Sequence, residues 1–224
     1  MEKSKVINQI AYIRTKFKQK FGIPRQSGRV PTLSGTIEFV DEYKKPESLK
    51  GLGEFSHIWI IFGFDKAKES ASTVRPPRLG GNVRTGVFAT RSPFRPNNLG
   101  LTLAKIVNVD YESCKITVSG VDLLDGTPIY DIKPYVPYAD CVPDAKAGFA
   151  DEFADYKLRV EFVPEVFDGV DETDKSTIID CIGDDPRPAY KKDGDEVYKM
   201  QYGNFDVAFT VADGVATIIK IEKV

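Results

Sequence analysis

SHIWIIFGF, residues Ser56–Phe64, is a nearly unbroken series of β-branched and aromatic side chains, and its centre, Ile58–Phe62, is the longest apolar run in the chain. Side chains of this kind fit a pleated surface, so the segment reads as a strand. It is far too short to cross a bilayer. Upstream, Val6–Arg14 has the same character. Downstream, Leu101, Leu103, Val107 and Val109 alternate with polar or small partners, as do Ile116 and Val118. Tyr156, Leu158, Val160 and Phe162 alternate with Lys157, Arg159 and Glu161, the pattern of a strand with one buried face. Turn residues, and no regular helical period, separate these strands. The pattern favours a mainly β chain built on a closed or nearly closed β-barrel over a parallel α/β sheet.

With 224 residues and 42% apolar content, the chain can bury one substantial core and a second small one. Pro164, Gly169 and several acids place a boundary near residues 164–172. The reading is a barrel unit over residues 1–165 and a small C-terminal α+β unit over 166–224. The second holds a short helix from Thr173 to Cys181 and a turn-rich connector, DDPRPAY. A meander of Tyr198–Tyr202, Phe205–Val211 and Val215–Ile221 follows, with Asp213-Gly214 as a hairpin turn.

Residues 70–109 contain five arginines and one lysine but no acid. From Val74 to Leu103 the sequence is VRPPRLGGNVRTGVFATRSPFRPNNLGLTL, and its prolines and glycines break it too often for a helix. Arginines on loops are displayed, and guanidinium forks match phosphate and carboxylate oxygens. An anionic ligand, RNA included, is the partner this implies. The net charge of −2 argues against a general nucleic-acid coat protein. That average hides a split: residues 1–109 carry 19 Lys and Arg against 8 Asp and Glu, whereas residues 110–224 carry 12 against 25. A basic working face and an acidic remainder would produce it, as would ordinary solvated surface.

Cys114, Cys141 and Cys181 are widely spaced, with no CxxC pair and no neighbouring histidine, which points to a reduced compartment and no zinc or other metal site. The N-terminal MEKSKVINQI lacks the apolar core of a signal peptide, so a cytoplasmic location is expected. Gly51-Leu52-Gly53 lacks the third glycine of a dinucleotide fingerprint and precedes a strand, and no GxxxxGK[ST] is present.

The arginine stretch, together with FGIPRQ (Phe21–Gln26), GLGEFSHIWIIFGF (Gly51–Phe64) and VDLLDGTPIYDIKPYVPYAD (Val121–Asp140), closely resembles the TsaA-like, TrmO-type family. The likeness runs through most of residues 5–150. From Asp185–Tyr190 onward the chain also resembles the C-terminal domain of bacterial members. The resemblance implies a single-sheeted, non-Rossmann β-barrel working as a homodimer. The activity it implies is S-adenosylmethionine-dependent methylation of N6 of threonylcarbamoyladenosine at position 37 of tRNA, beside the anticodon. One departure is Asp65, where many relatives carry histidine; another is Asn98, where an Asn-Pro pair is common.

By that resemblance Arg25, Gln26, Ser27, Gly63, Phe64, Asp65, Arg91, Leu101 and Asp122 meet the cofactor. Each has a plainer reading as well. Arg25–Ser27 is a proline-bearing turn, Gly63–Asp65 the end of a strand, and Leu101 a core residue by its alternation. Arg91 suits the methionine carboxylate better than the sulfonium, since like charges repel. Asp125-Gly126 is most simply a hairpin turn, which leaves Asp122 as the candidate catalytic residue, either a base or a hydrogen-bond acceptor. Arg75, Arg78, Arg84 and Arg95 are the candidate RNA contacts, and one of them can clamp the threonyl carboxylate. His57, the sole histidine, sits among Phe55, Ile58 and Trp59 and reads as structural. A non-catalytic RNA-binding module, or a small-molecule enzyme acting on an anionic substrate, would use the same arginines.

Overall fold

The computed structural model describes residues 5–67, 69–188, 190–191 and 194–224; Met1–Ser4 of the N-terminal stretch and Ala189 of DDPRPAY lie outside them. The first strands in chain order are β1 (Ala11–Thr15), β2 (Ser34–Phe39), β3 (His57–Gly63), β4 (Thr73–Val74), β5 (Thr85–Gly86), β6 (Leu99–Asp110), β7 (Lys115–Ser119) and β8 (Pro128–Pro134). Six of them close into a barrel in the order β1-β2-β7-β6-β3-β8. Every pairing around it is antiparallel. Closure leaves the barrel no free edge.

The period of two sorts each strand's side chains. Ile58, Ile60 and Phe62 of β3 are buried inside with Ile13, Ile37, Ile116, Val118 and Ile129, whereas His57, Trp59 and Ile61 face outward and are half-buried. On β6 the inward positions go to Thr102 and Ala104, which leaves Leu101 53% exposed and rules out a core role for it. Alternation marks a one-sided strand; only the register says which set faces in. The N-terminal strand starts later than expected, because Ala11 already pairs with Phe39, the last residue of β2, and Val6 and Ile7 stay exposed. Asp125-Gly126 is a turn but not a hairpin, since β7 and β8 pair with other strands. It docks on β1, where Asp125 accepts a hydrogen bond from the Thr15 amide (3.0 Å).

Gly100 on β6 faces Phe62 across the strand pair, and a Cβ there would lie 2.2 Å from the ring. Gly100→Ala is therefore expected to lose roughly 1–3 kcal/mol of stability by overpacking. A thermal melt checks it; an unchanged midpoint would mean that the Phe62 ring moves aside freely.

The second unit contains β9 (Arg159–Phe162), β10 (Gly194–Tyr202), β11 (Phe205–Ala212) and β12 (Val215–Lys223). Helix α1 (Pro137–Asp140) lies between the units and α2 (Glu172–Gly183) in the second. Asp171 caps α2, its side chain accepting from the amides of Thr173 and Asp174. Asp213 and Gly214 both have positive φ (49° and 75°) in the β11–β12 turn, as a tight hairpin requires. The strand at 159–162 differs from the sequence reading. It runs parallel to β12 and belongs to the second unit's sheet, which therefore begins before residue 166. Its alternation specified one buried face but not the partner that covers it. One continuous core joins the units, with Phe17 packed edge-on against Tyr202 (5.3 Å between centroids) and Phe21 near Tyr198 and Phe209.

Candidate active site

Antiparallel closure brings the end of β1, the start of β2, the end of β3, the start of β6, the end of β7 and the start of β8 to one end of the barrel. The loops attached there are 16–33, the arginine stretch and 120–127, which hold most of the candidate residues. They enclose two adjoining clefts that share Arg25 and Pro93. The smaller, about 310 Å³, is lined by Phe62, Gly63, Phe64, Asp65 and Asp122 among others. The larger, about 850 Å³, is lined by six arginines: Arg25, Arg29, Arg75, Arg78, Arg84 and Arg91. Both volumes lie in the range of small-molecule sites.

Loop 25–28 is tied to loop 120–124 by a bond from the Gly28 amide to the Gly120 carbonyl (2.8 Å). This sets Ser27 against Asp122, whose carboxyl accepts a bond from the Ser27 amide. Asp122 Oδ1 also accepts from the Thr102 hydroxyl at 2.6 Å. Burial raises the Asp122 pKa above the ordinary carboxylate value, and these bonds and the Arg91 charge offset it only in part. Arg91 is exposed and donates through Nη1 to Gln26 Oε1 (2.6 Å), so two candidate cofactor residues hold each other.

Gly63 lies beneath the Tyr130 ring, where a Cβ would come within 2.7 Å. The Phe64 amide donates to the Asn98 carbonyl (2.8 Å), and Asn98, at φ 48°, sends its side-chain amide to the Pro93 carbonyl (2.9 Å). Phe62 and Phe64 meet edge to face at 4.9 Å. Asp65 is exposed and pairs with Lys66 (3.1 Å). Arg25 reaches across to the second unit, donating through Nη2 to the Arg187 carbonyl (2.6 Å), while its buried Nε has no hydrogen-bond partner among the described residues. Burial and then the neighbouring Arg78 charge lower the Arg25 pKa. Leu101 lines neither cleft.

The four candidate RNA contacts divide. Arg75 and Arg84 are exposed, and Arg84 donates to the Thr73 hydroxyl of its own loop (3.0 Å). Arg78 is half-buried, donating to the Asp184 carbonyl (3.0 Å) and lying over the Tyr156 ring at 5.0 Å. Arg95 braces its own loop through the carbonyls of Thr90 (2.7 Å) and Val87 (3.3 Å) and lines neither cleft. Sequence reasoning missed two residues. Thr102 gave no signal in the alternation of β6, which leaves open which set of side chains faces in. Arg29, whose Nε pairs with Asp184 Oδ1 at 2.6 Å, gave none either, because its partner lies in the other unit.

Two family domains match the chain, the tRNA-methyltransferase O N-terminal domain over residues 12–141 and the TrmO C-terminal domain over residues 155–224. The tRNA (adenine(37)-N6)-methyltransferase of Escherichia coli K12 is 39% identical over 227 residues, covering 96% of each chain. A putative S-adenosylmethionine-dependent methyltransferase RcsF of Pseudomonas aeruginosa is 43% identical over 83% of each. The crystal structure of TrmO from P. aeruginosa superposes with a TM-score of 0.82 at 32% identity, covering 100% of this chain and 99% of that one.

Proposed function

The chain belongs to the tRNA-methyltransferase O family, and from that premise we propose that it methylates N6 of threonylcarbamoyladenosine 37 in tRNA with S-adenosylmethionine as methyl donor. The observation that carries this is the pair of adjoining clefts, one holding a half-buried carboxylate and the other six arginines. The smaller cleft fits the cofactor chemically. Its aromatic side chains, Phe62 and Phe64, suit an adenine ring; Asp122 suits a cationic centre; the Nε of Arg25, without a hydrogen-bond partner among the described residues, suits a carboxylate, as does Arg91 in the adjoining larger cleft. When bound, S-adenosylmethionine supplies an electrophilic methyl group.

This chain's residues supply positioning and proton transfer. N6 of the modified base lies between a purine and a carbonyl, so its proton leaves more readily than that of a plain exocyclic amine, and a modest base suffices. Asp122 is that base. Thr102 and Ser27 hold its carboxyl in place, and its raised pKa brings it closer to the operating pH, which favours proton acceptance. Residues bordering both clefts hold the nucleoside in line for transfer. Arg75 and Arg84 are the arginines left to meet the threonyl carboxylate and the RNA backbone, because Arg78 and Arg95 already serve the protein.

Methylation of tRNA with and without the threonylcarbamoyl group tests this proposal, alongside calorimetry with S-adenosylmethionine. Equal rates on both RNAs would refute the modified base as substrate, and absent cofactor binding would refute the activity. Arg75→Ala and Arg84→Ala are each expected to weaken tRNA binding and to reduce its salt slope by about one unit per phosphate contact. Filter binding across a salt series checks this; parental slopes in both would remove them from the RNA surface.

Homodimerisation is supported by the apolar outer face of β6, where Leu101 and Val107 are exposed, and light scattering checks it. A cytoplasmic site of action accords with the tRNA substrate; among the described residues no helix is long and apolar enough to cross a membrane.

A further inference from the structure

Residues 142–154 fall between the two matched family domains, yet they form part of the larger cleft, where Phe149 and Phe153 stand among the arginines. Two barrel arginines hold this connector. Arg29 donates to the carbonyls of Ala154 and Tyr156, and Arg78 lies over the rings of Phe153 (5.9 Å) and Tyr156 (5.0 Å). The second unit adds a bond from the Tyr156 hydroxyl to Asp185 (2.9 Å). A segment pinned from both sides presents its side chains in fixed positions. Arg78 occupies one side of Phe153. Phe149 is half-buried, on the turn that Gly148 enters at φ 61°. Arginines beside an aromatic ring form the combination that binds unpaired nucleic acid, the guanidinium groups taking the backbone and the ring taking a base face.

We propose that Phe149 is a stacking platform for an unpaired base of the tRNA, which makes the connector between the units a substrate-recognition element. This rests on the tRNA-methylating reading above. The test uses the full chain and tRNA bearing the threonylcarbamoyl group, with Phe149→Ala, Phe149→Leu and Phe149→Trp. Phe149→Ala should raise the tRNA concentration for half-maximal single-turnover rate by about 5- to 150-fold. Its rate at saturating tRNA, its S-adenosylmethionine affinity, its melting temperature and the salt slope of tRNA binding should match the parent. Phe149→Trp should restore the parental value, and Phe149→Leu, equally apolar but without a π-face, should not.

Parental half-saturation in Phe149→Ala would overturn the inference, as would full rescue by leucine, which would show that bulk alone matters. A parent that methylates tRNA while Phe149→Ala is unimpaired sinks this inference alone. A parent that transfers no methyl to tRNA sinks the functional reading and this inference with it.

Discussion

Asp122→Asn is expected to lose about 100- to 10,000-fold in single-turnover methylation at saturating cofactor while keeping its fold and a measurable affinity for S-adenosylmethionine. The substitution preserves the size of the side chain and an oxygen for the Thr102 hydroxyl at Oδ1. It removes the proton affinity that a base needs. The pH behaviour separates this role from a packing role. Because burial raises the pKa of Asp122, the parental rate should climb as pH rises through that value and then level off, and the variant should lack that limb.

Stability runs the other way. A carboxyl whose folded pKa lies above its unfolded one favours the folded state most below the unfolded pKa, and that contribution is lost as pH rises through the folded pKa. Above the unfolded pKa the half-buried Asp122 therefore costs stability, and Asp122→Asn should melt at or above the parental temperature there. Single-turnover assays with saturating cofactor and modified tRNA, melts across pH and direct cofactor binding on the same variant decide the matter. Near-parental turnover would exclude Asp122 as the base. A loss restored by excess cofactor would make it a binding residue instead.

Arg91→Ala is expected to weaken S-adenosylmethionine binding by about 10- to 150-fold, the usual effect of losing a charge-assisted hydrogen bond. Arg91 holds Gln26 at 2.6 Å, so the substitution also releases that side chain from its position. A second consequence follows from charge. Arg91 is one of the groups that lower the Asp122 pKa against burial, so its removal should push that pKa further up and move the rising limb of the pH–rate profile to higher pH. Arg91→Lys keeps the charge without the planar fork and should retain most of the pH profile but not the affinity. Titration calorimetry and a pH series check both effects, and parental affinity in Arg91→Ala would remove it from the cofactor site.

The strand at 57–63 was legible because its nearly unbroken run of β-branched and aromatic side chains leaves few other choices. The same holds for the hairpin at Asp213-Gly214, where the turn dictates which residues tolerate positive φ. The motif loops could be named in advance as well, because proline and glycine forbid a helix across the arginine stretch. Long-range pairing was not available from local pattern. Leu101 and Thr102 are neighbours of opposite facing, and only barrel register sets one in solvent and the other on Asp122. The strand at 159–162 showed one buried face without naming the sheet that receives it.

The arginines mark the division most sharply. Composition alone established that this chain carries a cluster of guanidinium groups on helix-free loops, the groups an anion-binding surface needs, because charge density and helix-breaking residues are local properties. Which of those groups are available was decided by the tertiary structure. Arg25, Arg29 and Arg78 reach carbonyls that lie more than a hundred residues away along the chain, while Arg75, Arg84 and Arg91 remain exposed. A donor's partner is a matter of distance in space, and chain closure that brings residue 29 to residue 184 leaves no trace in the residues around either one.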